Sequence, residues 1–176
     1  PNVAGEFSNL TNLANSGEQL ILTAADGSVI ADFSYNDKDP WPEFADGKGC
    51  TLTLIQADTM PDPSLASNWR CSAARQGSPG SDDSLVFTGV PDDLPAFVLG
   101  QTLPKTTLPN LFEFKLLLGA DDFIVTPQRS IDLVNWEAIP MPTQASSFND
   151  DGTATYRLPI EILNSRTFLR LVITAR

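Results

Sequence analysis

The fold is decided by residues 17–54, GEQLILTAADGSVIADFSYNDKDPWPEFADGKGCTLTL. This stretch predicts three short strands, at residues 19–23, 29–35 and 50–55, because larger apolar side chains alternate with smaller or polar ones. The pair Asp26-Gly27 between the first two strands is a strong signal for a tight hairpin turn. Alternation with a period of two places one set of side chains on a core face. That set is Leu20, Leu22, Val29, Ala31, Phe33 and Tyr35.

The remainder of the chain continues this pattern of short strands and turns. Its 176 residues leave room for one or two domains, and its 14 prolines and 11 glycines leave little room for long helices. Further strands are predicted at residues 68–72, 110–115, 123–130, 156–160 and 167–174. One short helical turn is predicted at residues 91–100, with Asp93 capping its start and Gly100 ending it. The sequence therefore predicts an all-β protein.

The charge of the chain narrows the classes of partner. There are 22 acidic and 11 basic residues, which gives a formal net charge of −11. A negative surface repels phosphate backbones, so we expect no nucleic-acid partner. No apolar run approaches the ~18 residues that a membrane helix needs, so we expect no membrane span.

The residues needed for several catalytic mechanisms are missing. Histidine is absent from the sequence, which removes Ser-His-Asp and Cys-His nucleophiles together with zinc sites that use histidine. The serines lack a Gly-x-Ser-x-Gly setting, and the glycines are spread over turns rather than gathered in a phosphate-binding loop. We therefore predict that the chain is not an enzyme. Cys50 and Cys71 are interpreted either as one disulfide or as two buried free thiols.

Adjacent aspartates provide the candidate metal ligands. Three pairs could contribute to a Ca²⁺ site, since calcium takes six to eight oxygen ligands: Asp82 with Asp83 and, as the candidates we keep, Asp92 with Asp93 and Asp121 with Asp122. The spacing of an EF-hand loop is absent. The other interpretation, which we favour, is that these carboxylates serve in solvated turns and helix caps. The sequence thus predicts no cofactor, with Ca²⁺ as the alternative.

An aromatic residue in a proline-rich loop is the candidate ligand contact. Two prolines fix the backbone on either side of Trp41, so the loop holds this side chain rigidly. The ring either covers the end of a core or stacks against a sugar or a protein partner, with Tyr35 nearby in the sequence. We favour the core interpretation and keep Trp41 and Tyr35 as candidate contact aromatics.

A constellation of motifs in the first half carries a resemblance to a known family. An entry turn, an Asp-Gly hairpin, Trp-Pro, a second Asp-Gly turn, Asn-Trp and a closing Pro-Gly follow one another in order. They fall on Gly17, Glu18, Asp26, Gly27, Tyr35, Trp41, Pro42, Asp46, Gly47, Gly49, Leu52, Leu54, Asn68, Trp69, Pro79 and Gly80. This half resembles the second half of a bacterial lamin-tail domain, which implies an immunoglobulin-like β-sandwich over residues 1–80. The first strands of such a domain are missing, so we expect an upstream fragment of the same polypeptide, or another chain, to supply them.

A second resemblance covers the other half. Its motifs are a Leu-Pro helix ending in Leu-Gly, then Ser-x-Asp-Leu-x-x-Trp, then Phe-x-Arg-Leu. They fall on Leu94, Pro95, Gly100, Ser130, Asp132, Leu133, Trp136, Phe168, Arg170 and Leu171. This half is similar to the C-terminal module of large exported proteins of Verrucomicrobia and Planctomycetes. The resemblance implies a second small β-sandwich at residues 109–176 after a linker at 81–108, an extracellular or cell-surface location and a natural C-terminus close to Arg176.

These observations predict a non-enzymatic structural or interaction module of a larger exported bacterial protein, which supports assembly or attachment. The alternative is a glycan-binding or docking domain accessory to an upstream enzyme. A third hypothesis is a hydrolase that uses paired carboxylates and Ca²⁺.

Overall fold

The computed structural model describes residues 12–107, 110–161 and 166–176. Within these ranges the chain is all-β: small antiparallel sheets make up a sandwich-type fold, and the one α-helix is five residues long. The chain divides into two compact units, Pro1–Asp83 and Ser84–Arg176. No helix in the described ranges is long and apolar enough to cross a membrane.

Two strand pairs form the sheets of the first unit. Strands β1 (Gln19–Thr23) and β2 (Val29–Ser34) make an antiparallel hairpin in which Leu20 lies opposite Phe33. The predicted turn is present, because the amide of Gly27 donates to the carbonyl of Ala24 at 2.9 Å. Strands β3 (Leu52–Leu54) and β4 (Trp69–Cys71) form the second antiparallel pair.

The core of the first unit is small and aromatic. The Trp69 ring lies 5.6 Å from that of Phe33 and 5.9 Å from that of Trp41, measured between centroids. Cys50 and Cys71 are buried beside this cluster and are joined as a disulfide, with their Cα atoms 5.4 Å apart. The aromatic cluster and the disulfide thus connect the β1–β2 hairpin, the proline-rich loop and the β3–β4 pair.

The predicted core face of the hairpin is only half correct. Leu20, Ala31 and Phe33 are partly buried, but Leu22 and Val29 are 58% and 61% exposed. The alternation did place Leu20, Leu22, Ala31 and Phe33 on one face, but the register shifts between Leu22 and Thr23, and Val29 lies opposite Thr23. The aromatic cluster is too small to cover the far end of that face, so burial stops halfway along the hairpin.

Two facing sheets form the second unit. The first sheet has four strands in the order β5 (Lys105–Thr106), β6 (Leu111–Leu117), β10 (Thr153–Pro159) and β9 (Ser147–Phe148). The second sheet has three strands in the order β11 (Phe168–Ala175), β7 (Phe123–Ser130) and β8 (Glu137–Ala138). The core between them contains Phe112, Phe114, Leu158 and Ile160, against which Leu169 and Leu171 of β11 pack. The three short strands β5, β8 and β9 were not predicted, because two residues carry no periodicity.

The predicted helical turn begins with a 3₁₀ turn, Pro91–Asp93, and continues as α1 (Leu94–Val98). Val98 is buried, and the ring of Phe97 packs 5.2 Å from that of Phe87. The predicted cap by Asp93 is wrong: its side chain makes no capping hydrogen bond. Gly100 ends the turn with φ +57°, and a Cβ there would lie 2.5 Å from the side chain of Thr153.

Candidate functional site

The candidate contact aromatics of the first unit are engaged within the protein. Trp41 is 8% exposed and packs on Trp69, so its ring offers no free face to a ligand. Tyr35 is partly buried, and its hydroxyl donates to the carbonyl of Ala14 at 2.6 Å. Burial, followed by the negative charge of Glu18, raises the pKa of Tyr35. The structure therefore makes Trp41 a core residue whose ring helps to close the small core.

The candidate calcium ligands are not brought together. Asp92 and Asp93 are exposed in the 3₁₀ turn before α1, whereas Asp121 is buried and Asp122 is exposed in the turn before β7. The main-chain carbonyls of Asp121 and Asp122 accept hydrogen bonds from the side chain and the amide of Arg176. Within the described ranges, no three metal-ligating side chains converge.

A further aspartate, Asp83, has a structural role. The carboxylate of Asp83 accepts a hydrogen bond from Arg70 at 2.6 Å, and both side chains are less than a tenth exposed. It also accepts from the amide of Ala73 at 2.7 Å and from the hydroxyl of Ser78 at 3.0 Å. Desolvation by itself would raise the pKa of Asp83, but these hydrogen bonds outweigh it and lower the pKa. Asp83 therefore anchors the end of the first unit.

An exposed loop of the second unit is held by several internal hydrogen bonds. It runs from Ser130 to Glu137, joins β7 to β8, and is called the 130–137 loop. The hydroxyl of Ser130 accepts from the amide of Leu133 at 2.9 Å. The carboxylate of Asp132 accepts from the amide of Asn135 at 2.8 Å and from that of Val134 at 2.9 Å. These bonds, with the Asn135 amide first, hold the pKa of Asp132 far below its usual range. Two side chains thus satisfy most of the amides of this loop.

This ordered loop keeps apolar side chains at the surface. Ile131 is 52% exposed, Leu133 is 57% exposed and Val134 is 79% exposed. Leu133 also has φ +64°, a left-handed conformation that is costly for a residue with a branched side chain. A strained backbone conformation of this kind persists only where several surrounding interactions hold it in place. The hydrogen bonds of Ser130 and Asp132 meet that condition.

A cavity of about 260 Å³ lies beside the 130–137 loop. Its lining includes Arg129, Ile131, Asn135, Trp136, Glu137 and Thr167. The sequence named Ser130, Asp132 and Trp136 as motif residues but did not predict a cavity beside them. The spacing of Ser130, Asp132 and Asn135 was the available signal, because serine and aspartate side chains capture amides two and three residues ahead in tight turns.

No family model, curated protein or solved structure matches the chain. The likenesses to a lamin-tail domain and to an exported C-terminal module thus stay interpretations of the sequence.

Proposed function

We propose that the chain is a non-enzymatic interaction module of a larger exported or cell-surface protein, and that the β1–β2 hairpin is its contact surface. The observation that carries the proposal is the exposure of apolar side chains on this hairpin. Ile21 is 56% exposed, Leu22 58%, Val29 61% and Ile30 62%. Exposed apolar patches of this kind are typical of protein–protein contacts.

The register of the hairpin places these side chains on both of its faces. Ile21 lies opposite Asp32, which shares a face with Ile30, whereas Leu22 lies opposite Ala31 on the other face. A single layer packed on one side would leave half of the patch in water. The arrangement therefore favours a partner that extends the sheet and continues beyond it as a second layer.

The backbone of the hairpin is also suited to sheet extension. Among the described residues β1 and β2 pair only with each other. Strand β1 contains no charged residue and no proline, which are the usual protections of an edge strand. Addition of a strand to such an edge is a recurrent mode of recognition.

The partner that we favour is the upstream fragment of the same polypeptide, which would supply the strands that a lamin-tail-like sandwich lacks. Another protein chain is the second choice. An exported setting is supported by the Cys50–Cys71 disulfide, since such bonds persist in oxidising compartments.

Binding between this chain and the segment that precedes it in the full gene product tests the proposal. With the segments expressed separately, I21D/I30D is expected to abolish co-elution in size-exclusion chromatography, because it places two carboxylates in an apolar contact. M60D is the control, as Met60 is 87% exposed outside the hairpin.

Equal loss of co-elution in both variants, or co-elution unchanged by I21D/I30D, would overturn the hairpin as the contact surface. Concentration-dependent self-association abolished by I21D/I30D would replace the upstream fragment with a second copy.

A further inference from the structure

The cavity beside the 130–137 loop has the features of a small-molecule subsite. Pockets for drug-sized ligands begin at about 300 Å³, and this one is slightly smaller, at about 260 Å³. Its size therefore limits an occupant to a single small ring or to one unit of a polymer.

Trp136 gives the cavity an apolar wall that is held in place. Its indole N–H donates to the carbonyl of Leu133 at 3.2 Å. The guanidinium of Arg170 lies 4.0 Å from the centroid of the ring and covers one of its faces. Arg170 does not line the cavity whereas Trp136 does, so the part of the ring that faces the cavity is free of this cation.

The polar groups of the wall carry no net charge. Arg129 Nε donates to Glu137 Oε2 at 3.0 Å, so the cation and the anion neutralise each other. An anionic or cationic ligand would have to compete with this pair. A neutral ligand with several hydroxyl groups would donate to the carboxylate and accept from the guanidinium without separating them.

Thr167 supplies an unsatisfied hydrogen-bonding group at the same place. Within the part of the chain that the structure describes, its hydroxyl oxygen is shielded from solvent and has no hydrogen-bond partner. Such groups are rare, because a buried polar atom without a partner costs free energy. Thr167 is itself one of the residues that line the cavity, so this unpartnered hydroxyl belongs to the wall of the site.

We propose that this cavity binds one neutral pyranose ring of a carbohydrate, with Trp136 as the apolar platform and with Arg129, Glu137 and Thr167 as its hydrogen-bonding groups. The C–H face of a sugar fits an aromatic ring, and its hydroxyls both donate and accept. The hydrogen bonds within the 130–137 loop hold Trp136 and Glu137 in place before binding, which lowers the entropic cost of binding the sugar. The site lies in the second unit, so it does not depend on the proposed role of the hairpin.

Two-dimensional ¹H–¹⁵N spectra of the intact chain test the site, because the three tryptophans provide separate indole signals. The probes are glucose, galactose, mannose and N-acetylglucosamine, with glucuronate as the charged comparison. We expect at least one neutral sugar to shift the Trp136 signal saturably, to leave Trp41 and Trp69 unmoved, and to bind more tightly than glucuronate. No shift with any neutral sugar, or an equal or larger response to glucuronate, would overturn the proposal.

Matched variants separate binding from folding. T167V removes only the unpartnered hydroxyl, so we expect it to fold as the wild type does and to bind the active sugar about three- to tenfold more weakly. T174V on β11 is the control, since Thr174 is exposed and does not line the cavity. E137Q is expected to weaken binding similarly while stability stays nearly unchanged, because its ion pair is exposed. Unaltered affinity in both T167V and E137Q would contradict the assigned site.

Discussion

The β1–β2 hairpin and the β6–β10 pair are both antiparallel strand pairs with alternating apolar side chains, yet their burial differs. In β6 and β10 the inward residues Phe112, Phe114 and Leu158 are at most 5% exposed, because the β11–β7–β8 sheet covers them. In the hairpin, Leu22 lies opposite Ala31 on the corresponding inward face, yet it is 58% exposed. Alternation thus determines which side chains share a face, whereas burial requires a second layer opposite that face.

The largest expected effect is a difference in the free energy of unfolding between a variant of the β6–β10 pair and a variant of the hairpin. F114A removes a ring that is 2% exposed and is expected to lower the free energy of unfolding by about 3–5 kcal/mol, because it leaves a cavity between two sheets. I30A is expected to change it by less than about 0.5 kcal/mol, as Ile30 lies at the surface. Urea unfolding followed by circular dichroism measures both. Similar losses in the two variants would mean that the hairpin is already covered within the chain.

The disulfide should stabilise only the first unit, whose core is the smaller one. The Cys50–Cys71 bond closes a loop with a sequence separation of 21 residues, which corresponds to about 3 kcal/mol in the chain-entropy account. Reduction should speed hydrogen exchange of amides in β3 and β4 and leave β6 and β10 unchanged. The variant C50A/C71A, treated with the same reductant, controls for effects of the reagent. Equal acceleration in both units would refute this division of stability.

The smallest expected effect is a dependence on pH that is confined to the first unit. Because its folded-state pKa is lowered from 3.8, Asp83 contributes stability that is present above that value. The contribution is lost as the pH falls from 3.8 through the folded-state pKa. The D83N variant should therefore differ most from the wild type at neutral pH, and the difference in unfolding free energy should shrink in acid. A difference that stays constant from neutral pH to pH 2 would show that protonation of Asp83 is not linked to folding.

Several features of the fold could be predicted from local sequence alone. Strands β1 and β7 have the predicted bounds, and the Asp26-Gly27 turn closes the first hairpin. Turn residues and alternation act over a few neighbours, so the sequence displays them directly. The candidate site could not be predicted in this way. Thr167 and Trp136 are 31 positions apart in the sequence, and their proximity depends on the pairing of β11 with β7.

The role of each aromatic residue depended on its neighbours in space. Trp41 and Trp136 both follow turn-forming residues, yet the first is buried against Trp69 and the second lines a cavity under Arg170. The ring chemistry is the same in both cases. What differs is the number of surfaces that the fold packs around each ring, which a local pattern does not contain.

By itself, the sequence determined that this protein is all-β, because its prolines, glycines and alternating side chains act through local geometry. Its composition also determined that these 176 residues contain no histidine. Only the tertiary structure decided which faces are covered, that Asp83 pairs with Arg70, and that a neutral cavity forms beside Trp136. Those outcomes depend on contacts between residues distant in the chain, whose energies arise only when the sheets pack.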